Sequence, residues 1–192
     1  ENTGNSVSSI TISNSISTLV NCTFTNLKLS STIEPKYEII STAKTTLINC
    51  LIYDYQSSDG FISCDNSLYI YNTTFNNCDT LTSTKDSGTI IARDLIVDNC
   101  LFNQITTING IIRSATFTKS ININNSIFNN IIAIQSGSVI NSQILTTIIN
   151  SNFNNCKSGL FGGTLMVSNL NLINSNITNS ISREGGAISF RS

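Results

Sequence analysis

The sequence predicts an all-β chain wound as a three-sided parallel solenoid of about seven coils of about 25 residues, and three regularities carry that prediction. An asparagine followed three residues later by a large apolar residue recurs at Asn21, Asn49, Asn72, Asn99, Asn125, Asn150 and Asn174. The gaps are 28, 23, 27, 26, 25 and 24 residues, a mean of 25.5. A fixed period over a whole chain marks a stack in which each repeat contacts only its neighbours. Polar and apolar residues alternate with period two on both sides of each asparagine, and a glycine recurs once per period.

The segment before each asparagine reads as a strand with one buried face, through Leu68 and Ile70, Leu95 and Val97, Ile121 and Ile123, and Leu170 and Leu172. Past the asparagine the alternation restarts with a small residue and then a large one: Thr73 and Phe75, Cys100 and Phe102, Ser126 and Phe128, Ser151 and Phe153, Ser175 and Ile177. That is a second strand on a new face, which makes the asparagine a corner. A third strand follows Gly60, Gly88, Gly110, Gly137, Gly163 and Gly186. Asparagine and glycine suit corners because both tolerate the left-handed backbone of a sharp bend. Polar stretches of variable length, such as 28–36 and 80–87, read as loops along one edge. A helical repeat of similar period is excluded by the β-branched, asparagine-rich and glycine-interrupted segments.

Composition agrees. With 28 Asn, no His, no Trp, one proline at Pro35 and 11% charged residues, the chain is unusually poor in charge, yet its 40% hydrophobic content is spread through every repeat and supports a buried core. The net charge of −1 and singly scattered Lys and Arg provide no basic stripe for a phosphate backbone, so nucleic acid is not expected as a partner. No apolar run approaches the roughly 20 residues that span a bilayer, and Glu1, Asn2, Thr3 and Gly4 do not open a signal segment. Because the pattern reaches both ends without a cap, residues 1–192 are expected to be a single β-helix segment of a longer chain, partnered by neighbouring coils or other copies of itself.

Phe153-Asn154-Asn155 followed by Gly162-Gly163-Thr164-Leu165, and Gly185-Gly186-Ala187-Ile188, resemble the polymorphic outer-membrane-protein repeat with its paired GGAI and FxxN tetrapeptides. The chain departs from that pattern in placing asparagine one or two residues after phenylalanine and in having mostly single glycines. The resemblance implies a right-handed parallel β-helix of the pectin-lyase-like type, used on cell surfaces for adhesion and display, and it carries over no catalytic residue.

Each conspicuous residue has a structural reading. The asparagine column is expected to form an internal ladder of side-chain amides, as stacked asparagines do in cross-β assemblies, and Phe24, Ile52, Phe75, Phe102, Phe128, Phe153 and Ile177 a core stack. Of six cysteines, Cys22, Cys50 and Cys100 follow the asparagine in an inward place, while Cys78 and Cys156 occupy the place of Leu27, Ile105 and Ile131. Cys78 and Cys156 lie three coils apart, roughly 14 Å at the strand spacing, so Cys22 with Cys50 is the one same-column pair near enough for a disulfide. Lacking histidine and any CxxC pair, the chain offers no metal site, and no cofactor is expected. Sequons at Asn21, Asn72, Asn124 and Asn176 arise easily in so Asn/Ser/Thr-rich a chain. Asn124 and Asn176 are the expected glycan acceptors, since Asn21 and Asn72 belong to the column read as buried.

The expected function is therefore non-catalytic: an extracellular or cell-surface spacer, adhesion or assembly segment that contacts glycans or surface proteins through its loops and outer faces. The alternative is a carbohydrate-active β-helix, which needs Asp59, Asp65, Asp86 and Arg93 to converge on one groove. Ice binding needs a flat threonine array, and Ser67, Asp94 and Ser120 are read as interrupting a column containing Thr45-Thr46 and Thr146-Thr147.

Overall fold

The computed structural model describes residues 10–29, 37–57, 60–80 and 88–191. All of its regular structure is β, in one parallel sheet of 11 strands and a second of eight. Every strand pairs with its equivalent one turn away, the arrangement of a parallel β-solenoid. The second sheet shows the stacking most plainly, running in register through Leu51, Thr74, Leu101, Ile127, Asn152 and Asn176. The seven asparagines enclose six turns, so the count is about six rather than the seven expected.

The sequence suggested three separate strands per turn, whereas the strand after the glycine usually runs into the strand before the asparagine. Gly60–Tyr71, Ile90–Asp98, Ile140–Ile149 and Leu165–Ile173 are continuous, each carrying both segments. A register shift between Ala92 and Asp94, and another between Ser142 and Leu145, marks the bend inside this sheet. In three turns the two pieces remain apart, as Ile10–Ile12 and Ser17–Val20, Tyr37–Ser41 and Thr45–Ile48, and Ile112–Arg113 and Ser120–Asn124. Of the glycines assigned to corners, Gly137 does hold a left-handed φ of 56°, whereas Gly163 does not. Gly163 is instead a close approach: a Cβ there would sit 2.5 Å from the Gly186 carbonyl oxygen. The loop at 80–87 lies almost wholly outside the described residues, as does most of 28–36.

Inside, the phenylalanines stack as the pattern requires. Phe75, Phe102, Phe128 and Phe153 are nearly parallel, with centroids 4.8, 4.7 and 4.9 Å apart, one turn per ring. Ile52 continues this column toward Phe24, and Phe61 packs edge-on against Phe24, Tyr55 and Phe75. Full burial of each ring contributes about 2–3 kcal/mol, which makes this stack the main apolar support of the coil.

A second inward column explains the small residue after each asparagine. The hydroxyls of Thr73, Ser126, Ser151 and Ser175 donate to the carbonyl two residues back, at 2.7–2.9 Å. Each also accepts a backbone N–H from the preceding turn: Cys50 to Thr73, Cys100 to Ser126, Ser126 to Ser151, and Ser151 to Ser175. At these four corners the hydroxyl thereby satisfies a backbone donor and a backbone acceptor, while the Cys22, Cys50 and Cys100 thiols at the other three turn to the carbonyls of Val20, Ile48 and Asp98.

Candidate functional site

On the outer surface of the coil, the asparagine corner repeats turn after turn. Asn21, Asn49, Asn72, Asn99, Asn125, Asn150 and Asn174 all have φ between 47° and 54°. Asn49 Nδ2 donates to Asn21 Oδ1 (3.2 Å), Asn72 to Asn49 (2.7 Å), Asn99 to Asn72 (3.2 Å) and Asn150 to Asn125 (3.3 Å). Asn125 steps aside and donates to Asp98 Oδ1 at 2.8 Å, so the amide column is interrupted between Asn99 and Asn125.

The ladder is external, contrary to expectation. All seven asparagines are exposed. A left-handed residue turns the chain without contributing to the interior, and the Ser, Thr or Cys that follows takes the inward place instead. Each amide has two N–H donors and two acceptor lone pairs; Asn49 and Asn72 each use one donor and one acceptor within the ladder.

Five residues after each corner lies a second left-handed column that sequence reasoning missed: Asn26, Asp54, Asn77, Gln104, Asn130, Asn155 and Asn179, with φ between 51° and 55°. It too is cross-linked between turns, by Asn77 to Asp54 (2.5 Å) and Asn155 to Asn130 (2.8 Å). Asn130 donates to Asn103 (3.1 Å), which itself donates to Asn76 (2.8 Å), and Asn179 donates to Asn154 (2.9 Å). The signal was legible, since every member is Asn, Asp or Gln at a constant offset.

The other candidates fall into place around these columns. Asn176 is exposed and donates to Asn152 Oδ1 at 3.2 Å, and Asn124 is half-buried on the outer face of the first sheet. The Cys22–Cys50 bridge is not formed: all six cysteines are free thiols, and Cys50 Sγ donates to the carbonyls of Ile48 and Leu19. Desolvation by burial pushes the thiols of Cys50 and Cys64 up, that of Cys78 to about 12, and those of Cys100 and Cys156 to about 11.

Of the aspartates weighed for catalysis, Asp59 and Asp86 lie outside the described residues. Asp65 is exposed, and Arg93 sits at the bend where the register shifts. Asp94 accepts the Ser120 hydroxyl at 2.9 Å, while Asp54 and Asp98 are members of the amide columns. No group of three or more Cys, Asp or Glu side chains is placed to hold a metal ion among the described residues. The threonine register is also corrected. Thr45 and Thr146 point inward and are fully buried, in line with Leu68, Leu95 and Ile121. The outward column beside them reads Thr18, Thr46, Tyr69, Ile96, Asn122, Thr147 and Asn171, which is no threonine array.

Two surface features had no sequence signal. Tyr69 and Tyr71 lie parallel with centroids 6.2 Å apart, and the Lys44 ammonium sits 4.5 Å above the Tyr69 ring. Farther along, a groove is lined by Gln143, Phe161, Met166, Ser168, Glu184 and Arg191, with Arg191 Nη2 donating to Asn141 Oδ1 at 2.5 Å. Burial lowers the Arg191 pKa, and the Arg113 charge adds to that effect. No helix among the described residues is long and apolar enough to cross a membrane, a statement that does not extend to strands. No family model matches the chain, and no curated protein or solved structure is detectably similar to it.

Proposed function

We propose that this solenoid is a non-catalytic structural segment of a cell-surface or extracellular protein, a rigid spacer whose outer faces serve adhesion or assembly. The observation that carries the reading is the conversion of the exterior into two turn-to-turn amide columns of low charge, over a core stiffened by stacked rings. The groove supports catalysis less well, because Glu184 is the one carboxylate in its lining and hydrolysis of a glycosidic bond ordinarily uses two. The resemblance to polymorphic outer-membrane-protein repeats, with their role in display, supports the same reading. Membrane-impermeant biotinylation of intact cells tests it. Labelling before permeabilisation is the expected outcome, and labelling only afterwards refutes a surface role. Release of new reducing ends from a polysaccharide panel replaces the reading with the carbohydrate-active alternative.

A further inference from the structure

The four sequons fall on alternate turns. Asn21-Cys22-Thr23, Asn72-Thr73-Thr74, Asn124-Asn125-Ser126 and Asn176-Ile177-Thr178 are separated by 51, 52 and 52 residues, two repeats each time. The intervening turns carry Asn49-Cys50-Leu51, Asn99-Cys100-Leu101 and Asn150-Ser151-Asn152, which are not acceptor triplets.

The fold places all four along one edge. Asn21 and Asn72 are themselves corner residues and are exposed. Asn124 precedes the corner residue Asn125 on the outer face of one sheet, and Asn176 follows the corner residue Asn174 by two on the outer face of the other. We infer that this edge carries a row of N-linked glycans, one on every second turn, spaced by about 10 Å from the strand separation. The inference rests on the extracellular reading above, because the modification needs the secretory route.

The ladder does not oppose it. In the transfer, Nδ2 bonds to the anomeric carbon of an oligosaccharide carried on a lipid diphosphate. The carbon–oxygen bond to the diphosphate breaks, the lipid diphosphate departs, and the amide loses one proton. The product remains a secondary amide with one N–H. That remaining hydrogen is anti to Oδ1, the one a stacked amide column uses, so Asn72 can still donate to Asn49 and Asn176 to Asn152. Because transfer precedes folding, burial of the Ser126 hydroxyl in the finished structure, where it bonds the Asn124 carbonyl at 2.7 Å, is no obstacle. The consequence is a solenoid with one sugar-covered edge, which directs protein contacts to the remaining faces.

The test is intact-mass and peptide analysis of the full protein purified from its own cells, before and after peptide N-glycosidase treatment, together with its cell fraction. Four glycan masses at the four asparagines are expected. Thr23→Val and Thr74→Val should each remove one of them and leave every acceptor asparagine in place, and Thr178→Val should remove a third, at the cost of the Thr178 hydroxyl's bond to Asn154 Oδ1. A surface-located protein that is bare, or carries sugar at a single position, overturns the row and leaves the surface reading standing. A bare protein retained inside the cell overturns both.

Discussion

Replacing Asn49 in turn by alanine and by glycine separates the two tasks of a corner asparagine. Asn49 holds φ at 54°, donates to Asn21 at 3.2 Å and accepts from Asn72 at 2.7 Å. Either substitution removes both amide bonds, and at this exposed site each is worth about 0.5 kcal/mol, the lower end of the usual range. Alanine must in addition hold a left-handed backbone, at a cost of about 1–2 kcal/mol. Glycine escapes that cost but adds unfolded-state freedom worth roughly 0.5 kcal/mol. The sums are about 2–3 kcal/mol lost for Asn49→Ala and about 1.5 kcal/mol for Asn49→Gly. Glycine should therefore be the better replacement by about 1 kcal/mol, the reverse of the order in an ordinary strand. Urea unfolding with linear extrapolation reads the difference, provided the two variants share one denaturant slope. An alanine variant as stable as the glycine variant, or more so, refutes the corner assignment.

Other consequences are as direct. Phe128→Ala removes a fully buried ring held between neighbours at 4.7 and 4.9 Å, and should cost about 3–5 kcal/mol in the same unfolding assay. Gly137→Ala combines a φ of 56° with a Cβ placed 2.2 Å from the Ile140 carbonyl oxygen, and should lower the thermal midpoint more than any alanine substitution on an exposed strand position. The thiols of Cys78, Cys100 and Cys156 are raised on folding, so the stability they support is intact below the unfolded thiol pKa near 9 and is lost as pH rises toward about 11 to 12. Unfolding free energy should fall above pH 9 by about 1.4 kcal/mol per pH unit for each such thiol. Denaturation at pH 8, 9 and 10 checks this, and replacing Cys78 by Val should reduce the slope.

Much of this fold was legible because a solenoid writes one turn many times. The phenylalanine stack, the inward place of Cys50 and Cys100, and the corner at each asparagine follow from alternation and spacing, and the strand registers agree with them. What escaped has physical reasons. The bends at Ala92 to Asp94 and Ser142 to Leu145 use no glycine and no left-handed asparagine, so nothing in the composition marks them. The second left-handed column includes Asp54 and Gln104, which hid it from a count of asparagines. The ladder was placed inside by analogy with cross-β stacking, whereas the left-handed turn commits the next residue to the interior and sends the amide outward. The correction also returns Asn21 and Asn72, as exposed residues, to the candidate glycan acceptors.

The central claim is that residues a hundred positions apart in sequence lie a few strand spacings apart in one straight column. Pulsed electron–electron spin resonance tests it, with spin labels on the outward positions Leu51 and Asn152 and, in a second sample, on Thr23 and Asn176. The in-register column places these pairs four and six turns apart. At about 4.8 Å per turn, narrow distributions should centre near 19 Å and 29 Å. Broad distributions, or two distances that do not differ by about two strand spacings, would contradict the stacked solenoid.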